Sequence, residues 1–220
     1  MQISEVDEYV EVISARIMGQ PVFRNNVLDV LPLLVINGDV DLSTGNVDFS
    51  GSVLITGSVV EGFTVKADRD VTVNGGVYNA RIRSGGSCMI KGGIVGERGE
   101  VCAGEDVRLG IIEYARAIAS QKIEIFGYAL FATLEAGESV YVQGRNRRGI
   151  VGGSCIAGES IETLSAGSAM ESQTLLEAGR DPVRLRTLQE LESRKNSMEE
   201  MKGRIEKTIL SIKEKNLCSI

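Results

Sequence analysis

Residues 46–77, NVDFSGSVLITGSVVEGFTVKADRDVTVNGGV, place a valine at Val47, Val53, Val59, Val65, Val71 and Val77, one every six residues with no slip. The rhythm continues through Ile82, Cys88, Ile94, Val101, Val107, Ile112, Ile118, Ile123, Ala129, Leu134 and Val140, loosened to steps of five to seven. A longer similarity appears at three times that step. GSVLITGSV (51–59), RDVTVNGGV (69–77), GSCMIKGGI (86–94), EDVRLGII (105–112), QKIEIFGYA (121–129) and ESVYVQGR (138–145) align on Val53, Val71, Cys88, Val107, Ile123 and Val140. These anchors lie 18, 17, 19, 16 and 17 residues apart.

A period near 18 built from three sixes predicts an all-β fold, a parallel β-helix or β-solenoid. Each six supplies one short strand and a bend, three sides close a coil, and coils stack about 4.8 Å apart. Alternation within a strand, as in Val53-Leu54-Ile55 and Val71-Thr72-Val73, puts residues i and i+2 inside. A β-sandwich also has strands and turns, but it does not hold one register over six repeats. About seven coils are expected, hence a rod of roughly 35 Å. Glycine supports this reading: 24 of the 26 fall between Gly38 and Gly179, beside regular valine and isoleucine that a flexible linker would lack.

Three segments follow. Residues 1–36 read as lead-in strands around Pro21 and Pro32 that cap the β-helix, and residues 37–180 as the β-helix itself. Residues 181–220 read as an amphipathic helix opened by Asp181 as N-cap and Pro182 at the first helical position. In that helix Leu188, Leu191, Met198, Ile205, Ile209 and Ile212 recur at near-heptad steps and form a candidate coiled-coil seam, weakened by Lys195 and Lys202. The stripe needs a cover, either a second chain or the β-helix folded against it.

Chemistry is constrained most by the absence of histidine, which removes the commonest general base, the Ser-His and Cys-His pairs and imidazole metal ligands. Asp39, Asp41 and Ser43 have the first spacings of a calcium loop, but Thr44 and Ser50 stand where its glycine and glutamate belong. GGSCIAG (152–158) does not satisfy GxSxG, and no Gly-Lys dipeptide exists for a phosphate loop. Thirty acidic residues show no spacing that selects a glycosidase pair. Cys88, Cys102 and Cys155 are expected to fill ladder or bend positions as small apolar residues. No catalytic residue, cofactor or metal is therefore expected. The loop GRNRRG (144–149) breaks the six-step and carries Arg145, Arg147 and Arg148, a candidate contact for an acidic partner on an otherwise acidic body.

The net charge is −6, divided as −8 over residues 1–180 and +2 over 181–220, which argues against general nucleic-acid binding. The start MQISEVDEYVEV lacks a signal peptide's apolar core, and no apolar run is long enough to span a bilayer. With four scattered cysteines, Cys88, Cys102, Cys155 and Cys218, these features favour a cytoplasmic protein with free thiols.

Gly38 to Asn46 (GDVDLSTGN), Gly51 to Val59 and Gly92 to Gly96 resemble the β-helical domain of the bacterial flagellar assembly protein A family, as do IVGGSCIAGESIETLSAGS (150–168) and the helix after Asp181. The resemblance covers about residues 12–215. It implies a right-handed β-helix followed by a coiled-coil segment, and a non-enzymatic scaffold in the cytoplasm that places or regulates flagellar or polar machinery through protein contacts; the helix stripe, for its part, offers a seam for a homo-oligomer. The family usually has a further N-terminal region and continues past the first helix. Two other classes share parts of the pattern. A bactofilin-like rod would polymerise end to end through stackable coils. A hexapeptide acyltransferase would share the period but lack its histidine.

Overall fold

The computed structural model describes residues 2–7, 10–14, 19–24, 27–144, 149–169 and 172–217. It divides into two compact units, Met1–Pro182 and Val183–Ile220. The first is a parallel β-solenoid of eight coils, against about seven expected, because Leu33–Ile36 and Ser160–Thr163 add a complete outer coil at each end of the six aligned repeats. At the inter-strand spacing, eight coils occupy about 38 Å.

The first face is an eight-stranded parallel sheet from Leu33–Ile36 to Ser160–Thr163. Its inward column runs Leu34, Val53, Val71, Cys88, Val107, Ile123, Val140, Ile161. On the second face the column is Val40, Val59, Val77, Ile94, Ile112, Ala129, Ile150, Ala166. On the third it is Val47, Val65, Ile82, Val101, Ala117, Leu134, Cys155, Leu176. The long strands Ala129–Ala136 and Ile150–Ala157 turn the corner between the last two faces and join them into one sheet.

Alternation decides burial. In Ser52–Ile55, Val53 and Ile55 are buried while Ser52 and Leu54 are half-exposed. Each valine or isoleucine so buried contributes roughly 2 kcal/mol from apolar area alone. One expected ladder residue is corrected: Ile118 points outward, and Ala117 and Ala119 take the inward places. The cause is register. Ala117 must pair between Val101 and Leu134, so the step from Ile112 is five residues, and the apolar Ile118 imitates the missing sixth. Cys88 and Cys155 are ladder residues as expected, but Cys102 lies in the outward row between Arg83 and Ile118.

Backbone crowding at the bends explains part of the glycine. A Cβ on Gly104 would collide with the carbonyl oxygen of Gly85 one coil below. The bends are further tied by side chains reaching the next coil's amides: Asp70 Oδ1 accepts Ser87 N–H at 2.9 Å, Asp106 Oδ1 accepts Lys122 N–H at 3.2 Å and Asn46 Oδ1 accepts Thr64 N–H at 2.9 Å. These groups satisfy backbone donors that the strands cannot reach.

Before the solenoid, Gln2–Asp7 pairs antiparallel with Val10–Ser14, and Gln20–Arg24 with Val27–Leu31. A helix of 36 residues, Pro182–Leu217, makes up the described part of the second unit and begins at the last residue of the first. No helix of the described residues is long and apolar enough to cross a membrane.

Candidate functional site

The GDVDLSTGN run is a corner brace. Asp39 Oδ1 accepts the Ser58 N–H of the next coil at 2.7 Å, and Thr44 Oγ1 donates to the Asp39 carbonyl at 2.9 Å. Asp41 Oδ1 accepts both the N–H and the hydroxyl of Ser43, at 2.8 and 2.6 Å, which holds its carboxyl below the ordinary carboxylate value. That oxygen is thus turned to the loop itself. Among the described residues no group of three or more His, Cys, Asp or Glu is placed to hold a metal ion.

The thiols are poorly suited to nucleophilic work. Burial pushes Cys88 and Cys155 up to about 12, and burial with the nearby Glu100 carboxylate pushes Cys102 up to about 11, so all three stay protonated at neutral pH.

Arg145, Arg147 and Arg148 lie outside the described residues. After them the ladder resumes at Ile150, which pairs with Ala129 without loss of register. In the helix, Leu188, Leu191, Met198 and Ile205 are each half-exposed or more, and Met201 joins them. Ile209 and Ile212 lie on the same helix, and their side chains are outside the described residues. This apolar stripe is open to a partner.

The outer surfaces of the solenoid differ sharply. The third face is charged and largely self-neutralised: Lys66 pairs with Asp48 at 3.3 Å, Arg83 with Glu100 at 3.7 Å and Arg116 with the buried Glu135 at 2.6 Å. The first face passes from Val35, Leu54 and Met89 to an Arg108 held between Glu124 at 2.8 Å and Asp106 at 3.4 Å. The second face is the apolar one. Its outward row runs Tyr78, Val95, Glu113, Leu130, Val151, and its one carboxylate accepts the Tyr128 hydroxyl at 2.7 Å.

Along the corner between the second and third faces, successive coils place Gly62, Asn79, Gly96, Tyr114, Phe131 and Gly152, all with positive φ. Glycine and asparagine accept that conformation readily, but Tyr114 at φ 53° and Phe131 at φ 46° do so only at a cost of about 1–2 kcal/mol each. Their rings stack with centroids 5.2 Å apart and an interplanar angle of 14°. A Cβ on Gly152 would collide with the Phe131 ring, so that glycine leaves room for the stack. Both rings remain about half exposed, Tyr114 at 51% and Phe131 at 45%. Beside Tyr114 opens a shallow cleft of about 430 Å³ bounded by Glu61, Asn79, Gly96, Glu97 and Arg98.

The apolar periodicity does not reveal this corner, because neither aromatic belongs to the inward ladder. The signal is visible only when coils are stacked: Glu113-Tyr114-Ala115 and Leu130-Phe131-Ala132 occupy the column where Val95-Gly96-Glu97 and Val151-Gly152-Gly153 carry glycine.

The family model described as the Flagellar Assembly Protein A beta solenoid domain matches residues 32–219. No curated protein and no solved structure matches the chain.

Proposed function

The chain belongs to the Flagellar Assembly Protein A family, and from that premise we propose that it is a non-enzymatic scaffold, acting in the cytoplasm, that positions or regulates flagellar or polar machinery through protein–protein contacts. The observation that carries the reading is the pairing of a ladder-filled, stiff solenoid with surfaces suited to proteins. These surfaces are the apolar second face and the exposed stripe Leu188, Leu191, Met198, Ile205 of the helix. A helix of 36 residues, about 54 Å long, that leaves such a stripe in water gains by pairing with another. Homo-oligomerisation through the helix follows, with Ile209 and Ile212 extending the seam. The arginines at 145, 147 and 148 add a cationic contact for an acidic partner.

The test is the mass of the full chain by size-exclusion chromatography with light scattering, beside the variant Leu188→Glu/Leu191→Glu/Ile205→Glu. Association in the parent that falls to monomer in the variant is the expected result. A monomeric parent would remove the coiled-coil part of the reading. A second reading, end-to-end stacking of rods, has its own support: the last coil leaves Leu176, the end of the third-face ladder, 41% exposed. Long species that persist in the helix variant would favour it.

A further inference from the structure

We propose that the aromatic corner beside Tyr114 is a docking slot for an arginine side chain carried by a segment of a partner protein. The inference rests on the scaffold reading and names the chemistry that one of its surfaces selects.

The column of left-handed corner residues sets the geometry. Phe131 covers one face of Tyr114, and Gly152 lies beyond Phe131 with no side chain to intrude. On the other side of Tyr114 the next residue in the column is Gly96, which has no side chain to continue the stack. The cleft lies at this point, lined by Tyr114, Gly96 and Asn79. The Asn79 amide lies over Gly96, where an added Cβ would collide with it, and its Oδ1 accepts the Arg98 backbone N–H at 3.3 Å, so it forms the floor of the cleft opposite the tyrosine. The cleft between the Asn79 amide and Tyr114 leaves room for one flat group laid against the tyrosine.

Charge narrows the flat group to a cation. Glu61 and Glu97 stand on the rim, both exposed. The rim's single guanidinium, Arg98, reaches Glu61 only at 3.8 Å, with the two side chains 79% and 62% exposed, a geometry of little strength. The surrounding residues 1–180 carry −8, so the long-range field also favours a cation. A guanidinium is planar, stacks on an aromatic face and can donate to a carboxylate at its edge, whereas an ammonium does not stack. The Tyr114–Phe131 stack offsets only part of the cost of holding two aromatics at positive φ and half in water, and neither ring enters the ladder to offset the rest.

The experiment uses the full chain and three labelled peptides of one length carrying three arginines, three lysines or three citrullines, the last being the neutral planar counterpart of arginine. Binding is followed by fluorescence anisotropy. The arginine peptide is expected to bind, with the lysine and citrulline peptides roughly fivefold weaker or more. Tyr114→Gly/Phe131→Gly is expected to lose at least roughly fivefold in arginine-peptide affinity. Its melting temperature should fall only modestly, because relief of the left-handed strain at φ 53° and 46° offsets part of the lost stack. Glu61→Gln/Glu97→Gln, at exposed positions, should weaken binding in a salt-dependent way with no change in melting. A parent that binds none of the peptides overturns the proposal, as does equal binding of the citrulline peptide or undiminished binding by both variants. None of these variants touches the helix stripe, so the mass measurement above stands or falls separately.

Discussion

Cys88 occupies a place in the first-face ladder between Val71 and Val107, and its thiol behaves there as a small apolar group. Burial raises it from 9.0 to about 12, and the sign of the linkage is set by that direction. Below pH 9 the thiol is protonated in folded and unfolded chains alike, and stability is full. From pH 9 to 12 the unfolded chain sheds a proton that the folded chain keeps, so stability falls as pH rises. For Cys88 the loss is on the order of 2 kcal/mol at pH 11. Cys88→Val, matched to its two valine neighbours, is expected to flatten the alkaline limb of a urea-unfolding series between pH 8 and 11. A parent and variant that lose stability in parallel would place the alkaline sensitivity elsewhere.

The third face carries an apolar inner side and several charges on its outer side, and among its ion pairs Arg116–Glu135 is the most buried. Glu135 is buried, and Arg116 Nε is buried without an acceptor among the described residues, so the pair is incompletely compensated for leaving water. Arg116→Met, which strips the carboxylate of its cation, is expected to destabilise by about 2 kcal/mol, discounted for the partial exposure of the arginine. Arg116→Met/Glu135→Leu is expected to recover most of that loss, measured as a double-mutant cycle in denaturant. A double variant no better than Arg116→Met would mean that Glu135 is held mainly by its other contacts.

A solenoid is close to one-dimensional: every coil is stabilised by the coils above and below it, and a break in the middle separates two short stacks. Val71 sits in the third of eight coils, between Val53 and Cys88, with 1% of its surface exposed. Val71→Asp buries a carboxylate with no partner in an apolar column, which costs several times what one coil contributes. The expected result is loss of the single cooperative transition in circular dichroism, with the helical signal of Pro182–Leu217 following its own course as the separate unit it forms. A variant that melts like the parent would show that the valine register is wrong.

The six-residue valine step was sufficient for the parallel β-solenoid, because an inward ladder demands one apolar residue per side per coil and tolerates little else. Val47 to Val77 all lie in that ladder, and Pro182 begins the helix where Asp181-Pro182 predicted. Where the step loosened, spacing alone could not distinguish the inward Ala117 from the outward Ile118, since both are apolar and only hydrogen-bonded register separates them. The count of coils depended on the ends, where Leu33–Ile36 and Ser160–Thr163 pair despite weaker repeats. The Tyr114–Phe131 corner was decided by tertiary structure alone: two residues 17 positions apart become neighbours only when their coils stack, and their left-handed backbone is set by the column they join. Ladders are therefore written along the chain, whereas surfaces arise between coils and exist only in the folded stack.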